Sequence, residues 1–217
     1  NSNVSVLGSD GALLSKPTDV QDNSILIEKD TANRYWLVPA VKDTTKDATS
    51  SGTVTTGVTG IVGNAWDFGG GMVTTTHQLI PTSGDWTYST WVKFDNIAGS
   101  SEQLMRSPSA VGSFELGRDS SGLFVTQSGT NTFEAQSNLA DDTWYNIVLV
   151  HSSSGDAIYL NGVAKTSSTI STIPTTTTWY IGGRAASYER LNGKLDQTAV
   201  WSVALSSGQV ASLYSSP

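Results

Sequence analysis

Apolar and polar residues alternate with period two along much of this chain, most clearly from Trp144 to Gly162. In Trp144-Tyr145-Asn146-Ile147-Val148-Leu149-Val150, Trp144, Asn146, Val148 and Val150 share one strand face, and Tyr145, Ile147 and Leu149 share the other. Both faces are mostly apolar, which predicts a mid-sheet strand covered on both sides. His151 to Asp156 is a polar turn. Ala157-Ile158-Tyr159-Leu160 follows and ends in Asn161-Gly162, a pair that accepts the positive φ angles of a tight hairpin. Val163 to Thr166 is the returning strand, so the centre of the chain reads as a three-stranded antiparallel meander.

Short apolar runs separated by Gly, Asn or Ser recur on both sides of this meander. They predict strands at Ala65–Phe68, Trp86–Phe94, Gln103–Arg106, Ser113–Gly117, Leu123–Gln127, Asn131–Gln136, Thr178–Gly182 and Lys194–Trp201. Regular short strands with frequent turns are the pattern of a sandwich or barrel. One helix is expected, from Ser206 to Tyr214, with Ser206 as its cap and Val210, Leu213 and Tyr214 on one side. No fixed-period repeat points to a solenoid or propeller.

The first 41 residues have a different character. Ile25-Leu26-Ile27-Glu28 and Arg34-Tyr35-Trp36-Leu37-Val38 read as a hairpin bracketed by Pro17 and Pro39. A lone hairpin is marginal in water, so Ile25, Ile27, Tyr35 and Trp36 are expected to be covered at an assembly interface. Residues 42–57 are almost wholly Lys, Asp, Thr, Ser, Ala and Gly and read as a flexible linker. The expected organisation is an N-terminal arm over 1–41, a linker over 42–57 and a main domain over 58–217.

Composition narrows the function classes. The 217 residues carry 12 basic and 19 acidic side chains, a net charge of -7, with no cysteine. Without a basic stripe, nucleic acid is not an expected partner. Without cysteine there is neither a disulfide framework nor a thiolate metal site. No apolar run approaches the ~18 residues that cross a bilayer, so membrane insertion is not expected.

The ordered set of motifs resembles the laminin G-like, concanavalin A-like lectin/glucanase superfamily over about residues 60–214. The motifs are Asn64-Ala65-Trp66-Asp67-Phe68-Gly69, Thr87 to Lys93 around Trp91, Asp142 to Val148 around Trp144, Ile158-Tyr159-Leu160-Asn161-Gly162, Tyr180-Ile181-Gly182-Gly183, and Leu191-Asn192-Gly193-Lys194-Leu195-Asp196. The resemblance implies an all-β, two-sheet antiparallel jelly-roll sandwich with its first and last strands close together. Two positions depart from the family pattern: Tyr145-Asn146 stand where a histidine pair is common, and Gln197 stands where an acid follows the last aspartate. Residues 17–36 are similar to a short module of phage and viral structural proteins, found ahead of fibre domains.

Candidate chemistry is sparse. Glucanases of this superfamily alternate acids along one strand, and no such run exists here. Asp141-Asp142 lie in a turn, and Glu115 with Asp119 is the other near pair. Hydrolysis is therefore not expected. His77 and His151 lack a nucleophile-elbow pattern beside them; His151 reads as a solvated loop residue and His77 as exposed on a strand. The resemblance suggests calcium, with Asp196 as first ligand and Asp67 as second; the alternative for Asp196 is a bond to backbone amides. A sugar site needs an aromatic plate and planar polar groups at a loop rim, which the loop with Arg184, Tyr188, Glu189 and Arg190 offers. Arg106 and Arg118 are further rim candidates, while Trp66, Trp91, Trp144 and Trp201 read as packing residues. The expectation is a non-enzymatic virion-surface or fibre protein, extracellular or particle-borne, with a lectin-like domain for adhesion to glycans. It would join its assembly through the arm and form a homo-oligomer. The alternatives are an adhesion module of a cellular extracellular protein and a glycoside hydrolase.

Overall fold

The computed structural model describes residues 6–7, 13–14, 48–98, 101–108, 113–127, 130–136, 139–170, 173–184 and 189–217. The chain divides into two units, Asn1–Asp47 and Ala48–Pro217. In the first, β1 (Val6–Leu7) pairs antiparallel with β2 (Leu13–Leu14). The expected hairpin with Ile25, Ile27, Tyr35 and Trp36 lies outside the described residues.

The second unit runs β3 (Ala48–Ser51), β4 (Val54–Thr59), β5 (Asn64–Gly69), β6 (Met72–Thr75), β7 (Trp86–Phe94), β8 (Glu102–Arg106), β9 (Phe114–Asp119), β10 (Gly122–Gln127) and β11 (Thr130–Gln136). It continues with β12 (Trp144–Ser152), β13 (Gly155–Leu160), β14 (Val163–Ser168), β15 (Trp179–Ile181), β16 (Asn192–Trp201) and helix α1 (Ser207–Ser215). Two seven-stranded antiparallel sheets form a sandwich, ordered β11-β10-β9-β8-β15-β6-β3 and β14-β13-β12-β7-β16-β5-β4. The all-β sandwich expected from the sequence is therefore the fold. The strand that carries the Asn64 to Gly69 motif, β5, pairs with the last strand, β16.

The linker expectation needs correction from residue 48 onward. Ala48–Ser51 and Val54–Thr59 are β3 and β4, each the outermost strand of its sheet. An edge strand is paired on one side only and tolerates exposed threonine and serine, so it lacks the apolar alternation of an inner strand.

β12 behaves as its two-faced pattern predicts. Tyr145, Ile147 and Leu149 enter the main core between the sheets, where they join Phe68, Trp86, Val92 and Trp179. Val148 and Val150 face the other way and form a second cluster with Trp201, Leu205 and Val210. Helix α1 supplies Val210 and so covers the outer side of this sheet. Its start is a capping box: Ser206 Oγ accepts from Gln209 N–H at 3.4 Å, and Ser206 N–H donates to Gln209 Oε1 at 2.9 Å. Thr87 Oγ1 fixes the turn before the helix, donating to the Val203 carbonyl at 2.9 Å and accepting from Leu205 N–H at 3.0 Å.

The β13–β14 turn uses the expected dipeptide, with φ of 52° at Asn161 and 74° at Gly162. Asn161 also extends the pairing with β12: its N–H donates to the Asn146 carbonyl at 2.8 Å, and its Oδ1 accepts from Asn146 N–H at 2.9 Å.

Candidate functional site

Cross-strand register determines which polar residues share the outer face of the β11-to-β3 sheet. Thr74 lies opposite Tyr180, Tyr180 opposite Arg106, Arg106 opposite Glu115, and Glu115 opposite Thr126. Directly opposed residues share a face. Their neighbours Val73, Leu116 and Val125 are in the core, so this row points outward. It is a polar band across five strands.

Arg106 and Gln103 anchor the band, and both are almost wholly covered, at 3% and 1% exposure. Arg106 Nη2 meets Glu115 Oε1 at 2.9 Å, and Arg106 Nη1 stands 3.6 Å from Glu189 Oε2. Gln103 Nε2 donates at 3.3 Å to both Glu115 and Glu189. The Glu189 carbonyl accepts from Gln103 N–H at 3.0 Å, which ties the loop before β16 onto β8. Arg184 completes the set, with Nη1 3.7 Å from Glu189 Oε2.

Three of the predicted site residues therefore lie around this network. Glu189 meets both Arg106 and Arg184, and Arg190 follows Glu189 with its side chain against Gly183. Tyr188 lies outside the described residues. Arg106 is part of the site, as a buried anchor rather than a rim residue. Sequence reasoning missed Gln103 and did not connect Glu115 to the loop; no local motif marks either.

Arg118 is corrected from rim candidate to structural residue. It lies two positions after Leu116 and so on the core side of β9. Its Nε donates to Glu102 Oε2 at 3.0 Å, and its two Nη groups donate to the carbonyls of Ile97 and Asn96 at 2.8 Å each. Its guanidinium lies over the Phe94 ring, 5.3 Å from the centroid. Burial pushes the Glu102 carboxyl above its ordinary range, with Arg118 opposing that rise.

The calcium candidates meet other partners. Asp196 Oδ2 accepts from Ile61 N–H at 2.8 Å and Val62 N–H at 3.1 Å, and Oδ1 accepts from Gln197 N–H at 2.7 Å. Asp67 pairs with Lys194 Nζ at 3.0 Å. Calcium takes 6–8 oxygen ligands, whereas Asp196 is surrounded by N–H donors. Among the described residues no three His, Asp or Glu side chains are grouped as a metal ion needs. These residues do not fit calcium.

Other residues depart from expectation as well. His151 is not a solvated loop residue: its ring stacks on Trp86 at 5.1 Å, and its Nδ1 lies 2.5 Å from Oδ1 of the buried Asp156. His77 follows β6 in a bend and is half-buried. Trp66 is 45% exposed, with its ring stacked on Phe68 at 6.4 Å. Trp91 and Trp201 are packing residues as expected, buried on the outer side of the α1-covered sheet, where Trp91 stacks on Tyr214 at 5.6 Å. The two turn acids hold loops: Asp141 Oδ1 accepts from Ile97 N–H at 2.6 Å, and Asp142 pairs with Lys93 at 3.1 Å.

Comparison with known proteins agrees with this architecture. The Concanavalin A-like lectin/glucanases superfamily matches residues 67–211. No curated protein matches the chain in sequence. Among solved structures, the chain is similar to domain 4 of AbnA, an extracellular arabinanase from Geobacillus stearothermophilus solved with arabinotriose: TM-score 0.65 at 16% identity, covering 77% of this chain and 87% of that one. It is also similar to a botulinum neurotoxin type C structure, from work on cell entry that depends on interaction with two ganglioside molecules: TM-score 0.56 at 12% identity, covering 79% of this chain and 46% of that one. A third is a candidate carbohydrate-binding protein from Bacteroides ovatus, with TM-score 0.56 at 21% identity, covering 68% of this chain and 45% of that one. The chain thus spans less than half of the last two.

Proposed function

Since the chain belongs to the concanavalin A-like lectin/glucanases superfamily, we propose that it binds a glycan without hydrolysing it, on the outer face of the β11-to-β3 sheet around Arg106. The observation that carries the proposal is the row of Tyr180, Arg106 and Glu115, continued by Gln103, Glu189 and Arg184. Alternating planar donors and acceptors beside a partly exposed aromatic ring match the hydroxyl groups and apolar patches of a sugar. The arabinanase domain solved with arabinotriose and the neurotoxin whose cell entry depends on two ganglioside molecules lend support by analogy of fold.

Hydrolysis finds less support. A retaining or inverting glycosidase needs one carboxyl free to donate a proton and a second as nucleophile or base. Glu115 and Glu189 are both tied to Arg106 and Gln103 instead. In this reading the domain works outside the cell, on a particle or cell surface. The first 41 residues serve as its anchoring arm, with Ile25, Ile27, Tyr35 and Trp36 against a partner or further copies.

The test is a glycan array probed with the full chain and with Tyr180→Ala. Binding to a defined set of glycans that Tyr180→Ala weakens, with an unchanged melting temperature, supports the proposal. Sugar release from a bound polysaccharide contradicts its non-catalytic part. Deleting residues 1–41 should leave glycan binding intact and abolish incorporation into the parent assembly.

A further inference from the structure

The polar atoms of this site are unevenly satisfied. Both carboxylates have partners: Glu115 has Arg106 at 2.9 Å and Gln103 at 3.3 Å, and Glu189 has Gln103 at 3.3 Å and two more distant guanidinium groups. The donors are less well matched. Arg106 Nη1 and the Nε and Nη1 of Arg190 are buried with no hydrogen bond, as is one acceptor, Gln103 Oε1. Buried donors without partners are rare in folded proteins, and each calls for an explanation. A site with satisfied carboxylates and unsatisfied guanidinium groups lacks an oxyanion.

Glu189 shows where that oxyanion belongs. Its carboxylate lies between Arg106 and Arg184 at 3.6 and 3.7 Å, which are ion-pair distances and longer than hydrogen bonds. Its reach is restricted, because its own carbonyl is held by Gln103 N–H and its backbone has a left-handed φ of 52°. A carboxylate not tethered to this backbone can approach both guanidinium groups at hydrogen-bond length, where the planar fork of arginine binds it best.

We infer that the glycan carries a carboxylate, as a sialic or uronic acid residue does, and that this group takes the place Glu189 holds between Arg106 and Arg184. A ring hydroxyl of the same residue donates to Gln103 Oε1. Glu189 is then a built-in competitor that occupies the guanidinium groups until the ligand arrives.

This inference rests on the glycan-binding proposal, and its test separates the two. Carboxylated glycans, their neutral counterparts and sulfated analogues (3′-sialyllactose, lactose and sulfolactose among them) are titrated against the full chain, Arg184→Gln and Glu189→Gln. The expected result is a preference for carboxylated ligands that weakens as salt rises. Arg184→Gln should lower that affinity roughly tenfold, as the loss of one charge-assisted hydrogen bond entails. Glu189→Gln should raise it several-fold, by more than it changes the affinity for neutral glycans. Equal binding of neutral glycans overturns the inference and leaves the glycan-binding proposal standing. Preference for sulfated ligands alone also overturns it, and so does weaker binding by Glu189→Gln. Binding to no glycan overturns both. Arg184 is 40% exposed, so its variant keeps the test decisive if Glu189→Gln folds poorly.

Discussion

Arg106 on β8 and Glu115 on β9 face each other across the ladder, 2.9 Å apart, on the side of the sheet turned away from the core. An outward-facing arginine is ordinarily solvated, yet only 3% of this residue is exposed. Removing one member of a buried pair leaves an uncompensated charge, which costs about 3–5 kcal/mol. Arg106→Met should therefore destabilise the domain by about 3 kcal/mol in urea denaturation. The double variant Arg106→Met/Glu115→Met should recover most of that loss, because neither charge remains unpaired. Simple addition of the two single losses would show that the pair is not coupled.

Asp196 and Gly60 illustrate a second constraint. Asp196 holds the amides of Ile61 and Val62, and a Cβ on Gly60 would run into its Oδ2. Gly60→Ala should cost about 1–3 kcal/mol by forcing this carboxylate off its donors. Asp196→Ala should lower stability similarly, and adding calcium or a chelator should move the melting temperature of neither protein. A rise with calcium in the unsubstituted chain alone would restore Asp196 as a metal ligand.

Glu102 gives the fold a pH dependence. Burial raises its carboxyl pKa above the ordinary value of 4.5, and Arg118 only partly offsets that rise. The folded state therefore binds a proton more tightly than the unfolded chain does. The stability from this group is fully present below the unfolded pKa and is lost as pH rises through the folded one. Comparing the unsubstituted chain with Glu102→Gln by denaturation from pH 4 to 7, the difference in stability should grow in favour of the unsubstituted chain as pH falls. A difference that shrinks with falling pH would mean that Arg118, not burial, dominates.

How much of this was readable in the sequence depends on where the constraint lies. β12 was legible because its alternation is local and both faces are apolar, and the Asn161-Gly162 turn because two adjacent residues determine it. β3, β4 and β6 were not. Ala48-Thr49-Ser50-Ser51, Val54-Thr55-Thr56 and Val73-Thr74-Thr75 carry few apolar side chains, and their strand character comes from pairing: β3 with β6, β6 with the distant β15, and β4 with the next strand, β5. Arg118 could have been assigned inward, since it repeats the Leu116 face at spacing two. His151 could not, because its neighbour Trp86 comes from the opposing strand. The arginine loop was chosen by residue type, but its partners lie far away in sequence, Gln103 being 86 residues from Glu189, and Gln103 and Arg106 are brought there by the sheet order.

In the proposed mode of binding, the glycan sits on the outer sheet face at Arg106 and not at the exposed Trp66. The most direct measurement is the map of backbone and side-chain chemical shifts in the labelled full chain as its strongest array ligand is added. Saturable shifts centred on Arg106, Tyr180, Arg184 and Glu189 are expected, with Trp66 and Val62 unmoved. Shifts confined to Trp66 and Val62 would contradict it.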